Sequence, residues 1–225
     1  KGKLDMIFEL PIEMIDEVMG ELEDAGPNAA FNVQVTKALA LHYYGFQHKS
    51  ELFNNVDLRK AFNYAIDREK ICMYTLNGEG VPGVNGIVPP AFKLYDSTAV
   101  KGYSFAPDRA KLHMAEAGYP NGEGFPTLTL QLNSGGSTNV QIAEVIQKQL
   151  KDNLNIDIEL NVMPWAQHLE NLETGKALFW RSGWIADYPD PENFLNLLYS
   201  ANIPATMEEK SYINSVRYSN PVFDS

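Results

Sequence analysis

Three carboxylates lie within a few residues of one another, Asp187, Asp190 and Glu192, and two large aromatics, Trp184 and Tyr188, flank the first of them. Paired carboxylates can do the acid–base work of glycoside hydrolysis. A carboxylate set between flat side chains is also what a site for an ammonium group needs. Two of the three have a plainer use. Pro191 opens a helix, so Asp190 stands where its cap belongs and Glu192 falls in its first turn, where negative charge is favoured. Asp187 is left without a structural task, and reads either as an ammonium-binding group or as a solvated surface aspartate.

Other chemistries lack their context. Gly78-Glu79-Gly80-Val81-Pro82-Gly83 matches the dinucleotide fingerprint, which needs a strand before it and a helix after it to present N–H groups to pyrophosphate. Here a helix precedes it, and Pro82, Gly86, Pro89 and Pro90 forbid a helix after it, so the segment is a loop. His42, His48, His113 and His168 stand at no metal-binding spacing and read as solvated or core histidines; His113 falls on the apolar face of its helix. There is no nucleophile elbow, and Ser134-Gly135-Gly136-Ser137 is a flexible connection. The single cysteine, Cys72, excludes an intrachain disulfide and a multi-cysteine zinc site, and reads as a small buried hydrophobe. No cofactor is expected.

Positioning these residues falls to alternating strands and helices. Leu4–Leu10 reads as a leading strand, and Ile12, Ile15, Val18 and Met19 recur at helical spacing. A second strand covers 39–46. A helix capped by Asp57 buries Ala61, Phe62, Ala65, Ile66 and Tyr64 and runs to Leu76, followed by a long Gly- and Pro-rich loop to Asp96. Pro107 starts the next helix and Gly118 ends it. Leu128, Leu130 and Leu132 share one face of a strand. Ser137 or Thr138 opens a helix with Ile142, Val145, Ile146 and Leu150 inward, and Ile156, Ile158, Leu160 and Val162 alternate with polar residues as a half-buried strand. A short helix runs from Pro164 to Gly175, a strand covers 177–183, and Pro191 opens the last helix. This alternation is the pattern of an α/β unit with a parallel or mixed sheet covered by helices.

The chain of 225 residues, 44% hydrophobic, suffices for one substantial core. A net charge of −11 repels phosphate backbones and argues against a nucleic-acid partner. No apolar run reaches the ~20 residues that span a bilayer. Both ends look cut, as in an excised fragment from which an export signal could have been lost.

The stretch Val56-Asp57-Leu58-Arg59-Lys60-Ala61-Phe62-Asn63-Tyr64-Ala65-Ile66-Asp67-Arg68 resembles a hallmark of the peptide/nickel class of bacterial extracellular solute-binding proteins, the oligopeptide- and dipeptide-binding partners of ATP-driven transporters. Gly86-Ile87-Val88-Pro89-Pro90, Ala115-Glu116-Ala117-Gly118-Tyr119-Pro120, Asn155-Ile156-Asp157-Ile158-Glu159-Leu160 and Asn220-Pro221-Val222-Phe223-Asp224 are similar to its later segments, in order. The strongest match is Arg181-Ser182-Gly183-Trp184-Ile185-Ala186-Asp187-Tyr188-Pro189-Asp190-Pro191.

The resemblance implies a two-lobed periplasmic-binding-protein type II fold that closes on its ligand. This chain would be its second lobe, a mixed sheet flanked by helices, with the first lobe absent and the C-terminus truncated. Residues 1–46 would bring the leading strand, helix and crossover, and residues 47–225 the α/β ligand-binding lobe. The implied task is capture of a peptide outside the cytoplasmic membrane and delivery to a permease, by a monomer that catalyses nothing and is periplasmic or membrane-anchored. Asp187 would meet the peptide's α-amino group, and Trp165, Arg181, Trp184 and Tyr188 would line the cleft beside it. His113 departs from the pattern, in which leucine is usual. The alternatives are a carboxylate-based glycoside hydrolase and a binding protein for a non-peptide solute.

If residues 78–86 are only a loop, titration with NAD or ATP leaves the thermal midpoint unchanged, and a saturable rise would contradict that reading.

Overall fold

The computed structural model describes residues 5–7, 10–92 and 95–225. The leading strand expected over Leu4–Leu10 falls partly outside these residues, and 5–7 and 10 carry no regular structure. A turn at Ile12–Met14 leads into helix α1, Ile15–Ala25. Strand β1 is Ala40–Phe46 and helix α2 Val56–Ala65. After the loop come helix α3, Pro107–Glu116, strand β2, Leu128–Asn133, helix α4, Ser137–Leu154, strand β3, Ile158–Met163, helix α5, Trp165–Glu173, and strand β4, Phe179–Ile185. A one-turn helix α6, Glu192–Leu195, follows, shorter than the helix expected from Pro191.

The four strands form one sheet in the order β1-β4-β2-β3. β2 is parallel to β3 and to β4, whereas β1 runs antiparallel to β4, so the sheet is mixed. β1 is therefore an edge strand of the same sheet that the later residues build. The crossover from β2 to β3 and the one from β3 back to β4 step across the sheet in opposite directions. With right-handed connections, their helices α4 and α5 must lie on opposite faces.

On the first face, α2, α3 and α4 close a core over the sheet, with Leu58, Phe62, Met114, Ile146 and Leu150 against Leu128, Leu130 and Phe179. Phe46 stacks on Phe53 (ring centroids 4.5 Å) and on Phe179 (5.1 Å), and the edge of Phe62 meets both Phe46 and Phe179 at 5.5 and 5.7 Å. On the second face, Leu172 of α5 packs with Ala177, Trp180 and Val216. A third cluster joins Val88 and Phe92 of the long loop to Phe194 of α6 and Trp184.

Two features of α2 differ from the sequence reading. Its cap is Asn55, whose side-chain oxygen accepts the N–H groups of Asp57 (2.9 Å) and Leu58 (3.2 Å). Asp57 lies inside the first turn. The helix stops at Ala65 because Ile66 is extended and the terminal carbonyls find other donors. Tyr64 O accepts from Ala106 N, Ala65 O from Asn153, and Asn63 O from Arg68, so the orphan groups of the helix end are satisfied without another turn. Asp67 then caps Lys70 N, and Ile71–Thr75 forms a wide π-turn.

Gly45 shows how tight the second face is: a Cβ there would lie 2.7 Å from Cε2 of the fully buried Trp180. Gly20, inside α1, has open space around it. Gly45→Ala is expected to destabilise the fold by about 1–3 kcal/mol through overpacking, and Gly20→Ala to stabilise it by up to about 1 kcal/mol, both read from urea unfolding.

Candidate functional site

The parallel strands β2, β3 and β4 all end at one edge of the sheet, at Asn133, Met163 and Ile185. The chain leaving β2 goes to α4 on the first face, and the chain leaving its neighbour β4 goes to α6 on the second. The C-terminal ends of adjacent strands whose exits diverge are where open α/β sheets hold ligands. All five residues singled out from the sequence belong to this edge. Arg181 and Trp184 are on β4, Asp187 and Tyr188 in the turn that leaves it, and Trp165 opens α5 directly after β3. β3 lies two strand spacings from β4, about 10 Å away.

Their surroundings differ. Asp187 is exposed and, among the described residues, has no hydrogen-bond or ion-pair partner. Pro191, not Asp190, takes the cap position of α6, and the Asp190 carboxylate just before it accepts the N–H of Glu192 at 2.9 Å. Trp165 is 50% exposed, its ring stacked on His168 at 5.8 Å, and Tyr188 is 45% exposed. Trp184 is half-buried: its indole N–H donates to Asn193 at 2.6 Å, and its ring packs against Val88, Phe92 and Phe194.

Arg181 is half-buried beside Tyr44 and Tyr43, and burial pulls its pKa down from the usual guanidinium value. It donates to Asn133 Oδ1 at 3.2 Å, bridging β4 to β2, and meets His42 Nδ1 at 2.6 Å. Among the described residues no carboxylate pairs with it. A guanidinium held in place without a carboxylate partner is the kind of group that recognises a carboxylate or phosphate.

A buried network fixes this edge from beneath. His168, fully buried on α5, has Nε2 2.9 Å from the carbonyl of Arg181 and Nδ1 3.0 Å from Gln131 Nε2. A carbonyl only accepts and an amide nitrogen only donates, so the ring must be neutral with its proton on Nε2. Asn171 completes the chain by donating to Gln131 Oε1 at 2.8 Å. The network ties α5, and with it Trp165, to the backbone at Arg181. Sequence reading placed His168 among solvated or core residues. Its partners are 37 and 13 residues away, and its only local sign is the i, i+3 pairing with Asn171 on one helix face. A second grouping that sequence reading missed joins His113 and Glu116 to Asp57; its local sign is His-x-x-Glu on α3.

The chain matches the model of the bacterial extracellular solute-binding proteins, family 5, middle region, over residues 1–205. It belongs to that family. Among curated relatives, it is 28% identical over 177 residues to the oligopeptide-binding protein OppA of Bacillus subtilis, covering 76% of this chain and 32% of that protein. It is 31% identical over 195 residues to heme-binding protein A of Haemophilus influenzae, covering 84% of this chain and 33% of the relative. A crystal structure of a periplasmic oligopeptide-binding protein, OppAIV of Borrelia burgdorferi, superposes with a TM-score of 0.73 at 26% identity, covering 96% of this chain and 39% of that one. The chain thus spans about a third of the length of the curated relatives it matches.

The likeness to the peptide/nickel class and the mixed α/β sheet expected from it both hold for this family-5 solute-binding protein. The hydrolase alternative does not: the family is one of solute-binding proteins, and the carboxylate of Asp190 is engaged by the N–H of Glu192. No helix among the described residues is long and apolar enough to cross a membrane.

Burial holds the pKa of His168 below its ordinary value, and that of His48 down to about 4. An unfolded histidine binds its proton near pH 6.5, so in this window the unfolded state holds more protons than the folded one. Stability is therefore full above about pH 6.5 and falls as the pH drops toward the folded values. The thermal midpoint is expected to decline between pH 7 and pH 5. His168→Gln, which keeps a donor and an acceptor but cannot titrate, should make the decline shallower; an unchanged slope would show that His168 does not carry it.

Proposed function

We propose that this chain is the ligand-reading lobe of a receptor that captures a peptide outside the cytoplasmic membrane and delivers it to an ATP-driven permease. The observation that carries this reading is the pair of unlike charges on β4 and its exit turn: an exposed carboxylate, Asp187, without a described partner, and a half-buried guanidinium, Arg181, without a carboxylate. Asp187 lies six positions after Arg181, at most about 20 Å away along a fully extended chain. A zwitterionic ligand with an ammonium at one end and a carboxylate along its length is complementary to that arrangement. Trp165 and Tyr188 add apolar surface at the same edge. B. subtilis OppA is named an oligopeptide-binding protein, which supports the same solute class.

One edge of one sheet is one wall. A site that buries most of a ligand needs a second wall, and the proposed receptor closes a second lobe over this edge, so that the permease reads the closed state. A different solute is the second reading, favoured by the likeness to heme-binding protein A of H. influenzae. Hemin titrated into the full-length receptor would produce a saturable Soret shift on that reading and none on the peptide reading.

Asp187→Asn in the full-length receptor keeps the shape and removes the charge. A hydrogen bond between charged partners contributes ~1.5–3 kcal/mol, so free-amine peptides should bind about 10- to 100-fold more weakly. N-acetylated peptides should bind the parent poorly and lose little further in the variant. Equal losses for both would show that Asp187 supports the lobe and reads no amine.

A further inference from the structure

Away from the sheet edge, α2 and α3 pack side by side and bring three metal-ligating side chains from distant parts of the sequence together. Asp57 lies in the first turn of α2, and His113 and Glu116 in the last turn of α3. His113 Nδ1 is 3.0 Å from Asp57 Oδ1 and 3.1 Å from Glu116 Oε2, and all three donor atoms lie within 4.8 Å of one another. An imidazole nitrogen carries at most one hydrogen, so it cannot make a full hydrogen bond to both carboxylates at once. One cation between the three atoms satisfies them all. Donors each about 2.1 Å from a common ion stand roughly 3–3.4 Å apart, close to the two separations between His113 and the carboxylates.

The surroundings suit a cation. Asn55 takes over the capping of α2, which frees the carboxylate of Asp57 to turn toward His113. Glu116 is the last residue of α3, where the helix dipole makes a carboxylate unfavourable and a positive ion favourable. Tyr64 lies parallel to the His113 ring at 5.7 Å and 4°, and Arg109 covers Tyr64 at 4.4 Å, so the imidazole is held in orientation as a ligand must be. Among the described residues, the other cation paired with the group is Lys60, 3.9 Å from Asp57 Oδ1, and its flexible stem can swing out to solvent.

We propose that Asp57, His113 and Glu116 form a divalent transition-metal site that fastens the start of α2 to the end of α3. One imidazole and two carboxylates, with no thiolate, suit zinc, nickel or cobalt better than magnesium or calcium, which take oxygen ligands throughout. Three protein ligands leave the remaining positions to water. The site lies on helices over the first face and is separate from the peptide-reading edge, so metal would set the stability of the lobe and not its choice of solute.

Calorimetric titration of the chain with ZnCl2 in a non-chelating buffer tests this. One equivalent should bind, and zinc at about a hundredfold excess over Kd should raise the thermal midpoint by roughly 5–10 °C, with no rise from MgCl2. His113→Gln should abolish saturation and, with CoCl2 as probe, the visible d–d bands. Glu116 is exposed, so Glu116→Gln keeps the fold and should weaken zinc about tenfold or more; it carries the test if His113→Gln fails to fold by circular dichroism. His48→Gln should leave binding unchanged. Absence of saturable uptake by the parent, or uptake that survives Glu116→Gln undiminished, would overturn the proposal.

Discussion

Strand β4 has side chains buried on both faces, and the rest of the lobe is arranged around it. Phe179 enters the aromatic core of the first face, and Trp180, its neighbour, is fully buried on the second. A strand loaded this way must lie inside the sheet, and it does, between β1 and β2. Trp180 fits only because β1 places Gly45 opposite it. The same strand continues through Arg181 and Trp184 into the turn with Asp187 and Tyr188. The packing that fixes its position therefore also fixes the charges proposed to read a ligand.

Buried polar groups fix register where apolar packing alone would not. The neutral imidazole of His168 joins β4 to α5, and Gln131 and Asn171 complete its hydrogen bonds. Arg217, 1% exposed, plays a similar part for the covering of the second face. Its guanidinium donates to the carbonyls of Glu173, Thr206, Met207 and Glu209, and gathers the segment after 200 against α5. Such groups are costly to bury and costlier to leave half satisfied, which is why they specify one arrangement.

Much of this was legible in the sequence where a pattern was local. Leu128, Leu130 and Leu132 announced a strand with one buried face, and Ala61, Phe62 and Ala65 the inner stripe of α2. The motif from Arg181 to Pro191 placed the candidate site on one strand and its exit. What escaped was set by tertiary partners. Asp57 and Asn55 are both good caps, and only the fold shows that Asn55 holds the N–H groups. The break at Ile66 depends on Ala106, Asn153 and Arg68 taking the free carbonyls. Gln131 sits between leucines on a strand that alternation makes one-sided, yet it is 5% exposed, because α5 covers the other face. Trp184 was expected as a cleft wall, and much of its surface is committed to Asn193 and Phe194.

The account rests on this lobe being one wall of a two-walled peptide site, and the most direct measurement compares the wall with the whole. Calorimetry with one pool of di- to pentapeptides is run on the 225-residue chain and on the full-length receptor. The expected result is submicromolar binding by the receptor and none at that strength by the chain, since a single wall leaves most of a ligand in water. Tight binding by the chain alone, or no peptide binding by the receptor, would contradict it.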